Sequence, residues 1–258
     1  MRYGLVIEYD GSAFHGWQRQ PHAESVQACV ETALSVVADT PVATTCAGRT
    51  DSGVHALAQV VHFDSDAQRR PHAWRLGSNA NLPATVSVIW AGVVGEGFHA
   101  RYSAAERTYQ YRITSRPSRP ALDAQRAWHI HEPLDVATMR RAAKHLLGEH
   151  DFSAFRSAGC QANTPHRHVS ELEIEARDDD VVITISANAF LQNMVRIVTG
   201  VLVDIGRGKH HPDWVTVLLA NADRTAAAAT APAHGLYLAA VRYLEPHQVP
   251  SDRRHRLP

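Results

Sequence analysis

Cys46-Ala47-Gly48-Arg49-Thr50-Asp51-Ser52-Gly53-Val54-His55-Ala56-Leu57-Ala58-Gln59-Val60-Val61-His62-Phe63 sets a polar, glycine-bounded loop beside a run of apolar and β-branched residues. Residues 57–63 read as a strand, and residues 42–46 read as another on the near side of the loop. Upstream, Val26, Cys29, Val30, Ala33, Leu34 and Val37 recur at helical spacing and stop at Asp39-Thr40-Pro41, which marks a helix and its end. A helix beside a strand, loop and strand predicts a mixed α+β unit, and a loop on such a frame can carry chemistry.

The same style continues in both directions. Residues 3–9 read as a strand stopped by Asp10-Gly11, and residues 14–20 as an aromatic and polar loop. A short helix is expected at 73–77, a turn at 79–83 and a strand at 85–94. Residues 107–114 alternate, which puts Tyr109, Tyr111 and Ile113 on one face and Thr108, Gln110 and Arg112 on the other. Further on come a helix at 135–147, a hairpin of strands 168–176 and 181–187 about Asp178-Asp179-Asp180, helices at 192–205 and 212–219, and a last strand at 236–244. The predicted architecture is α+β: two similar mixed domains, 1–103 and 104–245, with largely antiparallel sheets flanked by helices and a cleft between them. Residues 246–258, rich in proline and arginine, are expected to form a flexible tail.

Composition narrows the function. The chain has 258 residues, 26 Lys+Arg against 26 Asp+Glu, and 45% hydrophobic content. A chain this long buries roughly 70% of its surface without disulfide staples. Zero formal charge excludes indiscriminate coating of polyanions, so any nucleic-acid contact must come from local arrangement. All basic residues but Lys144 and Lys209 are arginines, whose planar donor fork suits phosphates and base edges. Cys29, Cys46 and Cys160 stand far apart, with no disulfide framework and no zinc knuckle. Glu8 interrupts the N-terminal apolar run too early for a signal-peptide core, and no run approaches a membrane span; the expectation is a soluble, cytoplasmic protein.

The loop itself resists the commonest motifs. Gly48 and Gly53 are spaced like the glycines of a phosphate-binding loop, but Val54-His55 stand where lysine and Ser/Thr must be. The nucleophile elbow G-x-S-x-G is absent, so Ser52 is a poor hydrolase nucleophile. One carboxylate remains, Asp51, with Arg49 beside it. On composition alone, Asp51 and Thr50 can equally be capping a turn. Tyr109 can equally be a core tyrosine with a satisfied hydroxyl. Arg196 lies on an apolar helical stripe and must either snorkel or pair with a carboxylate, for which Asp51 and Asp204 are the candidates. The pairs His129-x-His131, His166-x-His168 and His210-His211 invite a metal, but no Asp, Glu or Cys set stands at ligand spacing, and no metal is expected.

From Cys46 to His55 the chain resembles the bacterial tRNA pseudouridine synthase A family. The resemblance extends through Glu8-Tyr9-Asp10-Gly11, Gly16-Trp17-Gln18-Arg19-Gln20, Gln59-Val60-Val61-His62-Phe63, Asn79-Ala80-Asn81-Leu82-Pro83, Phe98-His99-Ala100-Arg101, Tyr109-Gln110-Tyr111, Ala187-Asn188-Ala189-Phe190, Met194-Val195-Arg196 and Gly235-Leu236-Tyr237-Leu238. It implies that Asp51 is the catalytic aspartate, Tyr109 the active-site tyrosine and Arg196 the arginine paired with Asp51. It further implies that Arg49 helps hold the place of a flipped nucleotide and that Leu236 walls the uracil pocket. The implied substrate is the tRNA anticodon stem-loop at positions 38 to 40, handled by a homodimer without cofactor or metal. Two other classes compete with this reading: a non-catalytic RNA-binding protein or chaperone, and an N-glycosidase acting on nucleosides.

Overall fold

The structure is a computed structural model and describes residues 1–257. In chain order the strands are β1 (Arg2–Tyr9), β2 (Thr45–Cys46), β3 (His55–Asp64), β4 (Val86–Val93), β5 (Ala104–Ser115), β6 (Trp128–Ile130), β7 (Gly148–Asp151), β8 (His166–Arg177), β9 (Asp180–Ala187) and β10 (Leu236–Tyr243). The α-helices are α1 (Val26–Ala38), α2 (Pro71–Asn81), α3 (Val136–Ala143), α4 (Met194–Gly206) and α5 (Trp214–Asn221). The chain forms two compact units, one of Met1–Arg107 with Tyr237–Pro258, the other of Thr108–Leu236.

In the first unit β1 lies between β4 and β3, antiparallel to both; β2 pairs antiparallel with β3, and β10 joins β3 in parallel through Tyr237 and His55. Leu5, Val6 and Ile7 are all fully buried, so β1 is covered on both faces and not on alternate residues alone. Tyr3, Phe63 and Trp74 form the aromatic heart: Tyr3 stacks on Phe63 at 5.4 Å and Phe63 meets Trp74 edge-on at 4.9 Å. Each such pair adds about 0.5–1.5 kcal/mol beyond its buried area.

Helix α1 begins where the Ser25 hydroxyl accepts the N–H of Ala28 and ends where Asp39 turns left-handed at φ 56°. Its buried Glu31 accepts from the N–H and hydroxyl of Thr44 at 2.8 and 3.1 Å and pairs with Arg19 at 2.7 Å. That bond shortens the strand expected at 42–46 to Thr45–Cys46, because the N–H of Thr44 goes to Glu31 and that of Val42 to the Ser35 hydroxyl. Helix α2 is longer than the expected 73–77. Pro71 opens it, and the Asn79 side chain, read as part of a turn, instead bonds both the N–H and the carbonyl of Val88 on β4.

The second unit carries β5, β9, β8 and β7 side by side, with β6 parallel to the far part of β5. β8 and β9 form the expected antiparallel hairpin, closed by Asp178-Asp179 with Asp178 at φ 52°. α3 packs on α4 and on β8, and α5 lies against α3. Asp135 caps α3 by accepting the N–H of Thr138 at 2.9 Å, and the helix gives way to a 3-10 turn at Lys144–Leu146. The alternation read in 107–114 is blurred, because Thr108 and Gln110 are buried along with Tyr109, Tyr111 and Ile113. Hydrogen bonds explain why polar residues are tolerated there: Thr108 bonds Ser186 at 2.8 Å and Gln110 bonds Thr184 at 3.3 Å.

The sequence predicts 104–245 as one domain and 246–258 as a flexible tail. Instead Tyr237–Pro258 belongs with the first unit. Ser251 is 2% exposed and donates to the carbonyl of Val241, the Arg253 N–H bonds Ala239 at 3.0 Å, and Leu257 packs on Leu57, Tyr237 and Ala239. The described part of the expected flexible tail is therefore folded onto β10. Among the described residues no helix is long and apolar enough to cross a membrane.

Candidate active site

The loop from Ala47 to Val54 is held from several sides by its own unit. The Ala47 N–H bonds the carbonyl of Val60, and the Gln59 amide donates to Gly48 at 2.6 Å, so the entry to the loop is riveted to β3. Trp17 donates its N–H to Thr50 at 3.0 Å, and Gly53 and Ser52 both donate to the carbonyl of Phe14. The loop therefore lies along the 14–17 segment, which has no regular structure of its own.

Close backbone approach makes this possible. Gly16 has φ 89°, and a Cβ built there would sit 2.7 Å from the Thr50 carbonyl oxygen; one built on Gly11 would sit 2.0 Å from that of Val54. The turn ends with Gly53 at φ 77° and the Val54 N–H on the Asp51 carbonyl at 3.1 Å. Thr50 does not cap the turn with its side chain, as composition allowed. Its buried hydroxyl bonds Tyr9 on β1 at 2.7 Å. Asp51 and Arg49 are exposed on this anchored frame, between the buried Thr50 and the half-buried Gly48 and Gly53. At the exit, His55 accepts the Gly11 N–H at Nδ1 (3.0 Å) and stacks on Tyr237 at 4.7 Å. The same Nδ1 lies 3.3 Å from Asp10 Oδ1.

The other expected site residues lie in the second unit or at its border. Tyr109, on β5, is 9% exposed and meets Phe190 edge-on at 5.1 Å. Arg196, on the first turn of α4, donates from Nε to the Ala231 carbonyl at 2.7 Å and from Nη1 to Asn193 Oδ1 at 2.8 Å. Asn193 stands in the left-handed region at φ 61° and gives its amide to Ser157 at 2.7 Å. Phe190 and Asn193 thus hold Tyr109 and Arg196 from one short segment, 188–193. Asp204, the other carboxylate that the sequence offers Arg196, pairs with Lys209 at 2.8 Å. Leu236 is 6% exposed at the start of β10. Beside it, Gly235 lets the Tyr111 ring pass, since a Cβ there would come 2.7 Å from that ring. Tyr111 donates its hydroxyl to Pro232 at 2.7 Å, and burial pushes its pKa far up.

Sequence reasoning missed Arg107. Its guanidinium donates to the carbonyls of Ala47, Ala104 and Arg101, tying the start of the 47–54 loop to the 101–104 turn. Only its place as an arginine at the head of an apolar strand pointed to it. The histidine pairs have local partners: His129 bonds the Arg116 carbonyl at 2.8 Å and His210 stacks on Trp214 at 3.7 Å. Among the described residues no three His, Cys, Asp or Glu side chains gather as metal ligands.

Against known proteins, the tRNA pseudouridine synthase family model matches residues 5–103 and 142–244. A protein of Idiomarina loihiensis described as tRNA pseudouridine synthase A is 52% identical over 250 residues, 97% of this chain and 96% of that one. Proteins of the same description from Coxiella burnetii and Vibrio cholerae are 51% and 50% identical over 243 residues, 94% of this chain and 93% and 92% of theirs. Among solved structures, an archaeal box H/ACA sRNP Nop10-Cbf5 complex matches with a TM-score of 0.37 and 12% identity, over 78% of this chain and 44% of that one.

Proposed function

The chain belongs to the tRNA pseudouridine synthase family, and from that premise we propose that it isomerises uridine at positions 38 to 40 of the anticodon stem-loop, with Asp51 as the catalytic carboxylate. The observation that carries this reading is an exposed carboxylate on a loop whose neighbours are fixed by a buried and a partly buried hydrogen bond, so that Asp51 is presented without being free to wander.

Conversion of uridine to pseudouridine breaks the N1–C1′ glycosidic bond, turns the uracil and rejoins it through C5. No electron is gained or lost and no atom is added, so the balance of the reaction needs no redox partner. A carboxylate is ionised at neutral pH, and a guanidinium beside it keeps it so and orients it; Arg196 takes that part in this reading. Asp51 then attacks C1′ or the base, or removes a ribose proton. A hydrolytic glycosidase commonly needs a second carboxyl roughly 5–9.5 Å away to activate water, whereas an isomerase does not.

Tyr109 stacks on the uracil with its ring, and its hydroxyl serves removal of the C5 proton. Leu236 adds an apolar wall that keeps water from the detached base. Arg49, exposed two residues before Asp51, fills the gap left when the nucleotide leaves its stack, offsetting part of an unstacking cost of a few kcal/mol. The working form in this reading is a cytoplasmic homodimer. Release of tritium from C5-labelled uridine in tRNA, with pseudouridine mapped to positions 38 to 40, is the expected result. Free uracil without pseudouridine would replace the proposal by a glycosidase, and binding without release would replace it by an RNA-binding protein.

A further inference from the structure

The turn between β4 and β5 holds a second feature of the first unit that the catalytic reading does not use. Tyr102 is 78% exposed, the most exposed aromatic ring among the large hydrophobic side chains at the surface. It does not swing freely. Its ring stacks on that of His99 at 4.3 Å and 26°, and His99 in turn lies 4.8 Å from the buried His62. Nδ1 of His99 accepts the backbone N–H groups of Arg101 and Tyr102 at 3.2 and 3.1 Å, while the His99 N–H goes to the Ser103 hydroxyl at 3.0 Å. His62 Nδ1 accepts the Ala100 N–H at 3.1 Å, which fastens the turn to β3.

The Tyr102 ring stacked on His99, with His99 tilted at 57° against the buried His62, makes a braced aromatic face whose ordering entropy is already spent before a ligand arrives. A cation stands beside it. The Arg101 guanidinium carbon lies 5.8 Å from the Tyr102 ring centre, and both Arg101 and Arg49 are near enough to the buried Cys46 thiol to counter the upward push of burial on its pKa. Among the described residues neither guanidinium takes part in an ion pair. Arg107, donating to both Arg101 and Ala47, braces the platform against the loop that carries Asp51. The other exposed apolar side chains, such as Leu76 and Leu122, are aliphatic.

A fixed aromatic face with unpaired guanidinium groups suits a π-face joined to a phosphate, which is the chemistry of an unpaired nucleotide. An apolar protein surface would use the ring but leave the two arginines without counter-charges. We propose that Tyr102, backed by His99 and flanked by Arg101, stacks an unpaired base of the RNA substrate outside the catalytic pocket. Tyr102 is then a positioning residue that sets how RNA is held, and the inference rests on the RNA substrate of the proposed function.

The test separates binding from turnover. tRNA affinity is measured by direct titration in the Asp51→Asn background, with Tyr102→Ala, Tyr102→Phe and Arg101→Ala added singly, and kinetics are measured in the Asp51 enzyme. Tyr102→Ala is expected to weaken tRNA binding and raise KM about 10-fold, with kcat at saturating tRNA held within about twofold. Tyr102→Phe, which keeps the ring, is expected to bind as the parent does, and Arg101→Ala to bind more weakly and with a shallower salt dependence. Unchanged tRNA affinity in Tyr102→Ala, equal losses in the Phe and Ala variants, or a fall in kcat with KM unchanged would each overturn the proposal. Because affinity is read without turnover, absence of pseudouridine formation would defeat the proposed reaction and leave this test standing.

Discussion

The hydroxyl of Tyr9 and Oγ1 of Thr50 lie 2.7 Å apart in a buried hydrogen bond that joins the first strand of the chain to the residue before Asp51. Forty-one residues separate the partners, and the bond fixes Thr50 while its neighbour Asp51 faces solvent. Tyr9→Phe removes it and leaves the Thr50 hydroxyl with less to bond. We expect a loss of about 0.5–1.5 kcal/mol in stability by urea unfolding, and a lower kcat from a looser Asp51. A variant with parental kcat would show that this bond serves stability alone.

Gly16 brings its backbone against the same loop at Thr50. Alanine there combines an unfavourable φ of 89° with a Cβ 2.7 Å from the Thr50 oxygen. Backbone on both sides cannot yield as a flexible side chain does, so Gly16→Ala is expected to cost about 2–4 kcal/mol and most of the activity. Thermal unfolding and tRNA turnover check this together, and a variant as stable as the parent would refute the packing described.

His62 gives the fold a pH dependence. Burial, then the neighbouring His99 and Arg2 charges, lower its pKa from 6.5 to about 4. The folded chain therefore resists taking a proton that the unfolded chain accepts below pH 6.5. Stability from this group is complete above that value, falls between about pH 6.5 and 4, and levels off below. The whole effect is on the order of 3 kcal/mol. Protonation at Nδ1 also breaks the bond from Ala100. Urea midpoints at pH 7 and 4.5 should differ by more in the parent than in His62→Gln; identical differences would remove His62 as the cause.

Arg196 uses its fork, with Nε on Ala231 and Nη1 on Asn193. Lysine keeps the charge but has no second arm to hold both contacts. Arg196→Lys is expected to lower kcat at least about 10-fold with little change in tRNA affinity. Full activity in that variant would show that charge without orientation suffices.

How far the sequence foretold this molecule depends on the distance over which each feature is decided. Helix α1 was legible because Ser25, its apolar spacing and Asp39 are local signals. The β8–β9 hairpin was legible because the Asp178-Asp179 turn and the alternating strands are adjacent in the chain. Strand 42–46 is shorter than the sequence predicts because Glu31, thirteen residues before Thr44, and Ser35, seven before Val42, take their N–H groups, which periodicity does not register. The tail was misread for the same reason: proline and arginine predict looseness, but Ser251 and Leu257 find partners on β10 and β3 that only the fold supplies. In the candidate site, Asp51 and Arg49 stood out by residue type between glycines. Arg107 and the His62, His99 and Tyr102 ring cluster did not, because their contacts run through backbone carbonyls and ring faces that carry no spacing signature.

The central claim is that Asp51 performs the chemistry, and single-turnover conversion of tRNA by Asp51→Asn tests it most directly. Asparagine keeps the size and the turn but has no carboxylate. The account predicts no pseudouridine at positions 38 to 40 while tRNA affinity stays within about twofold of the parent. Pseudouridine forming at those positions at an appreciable fraction of the parental rate would contradict it.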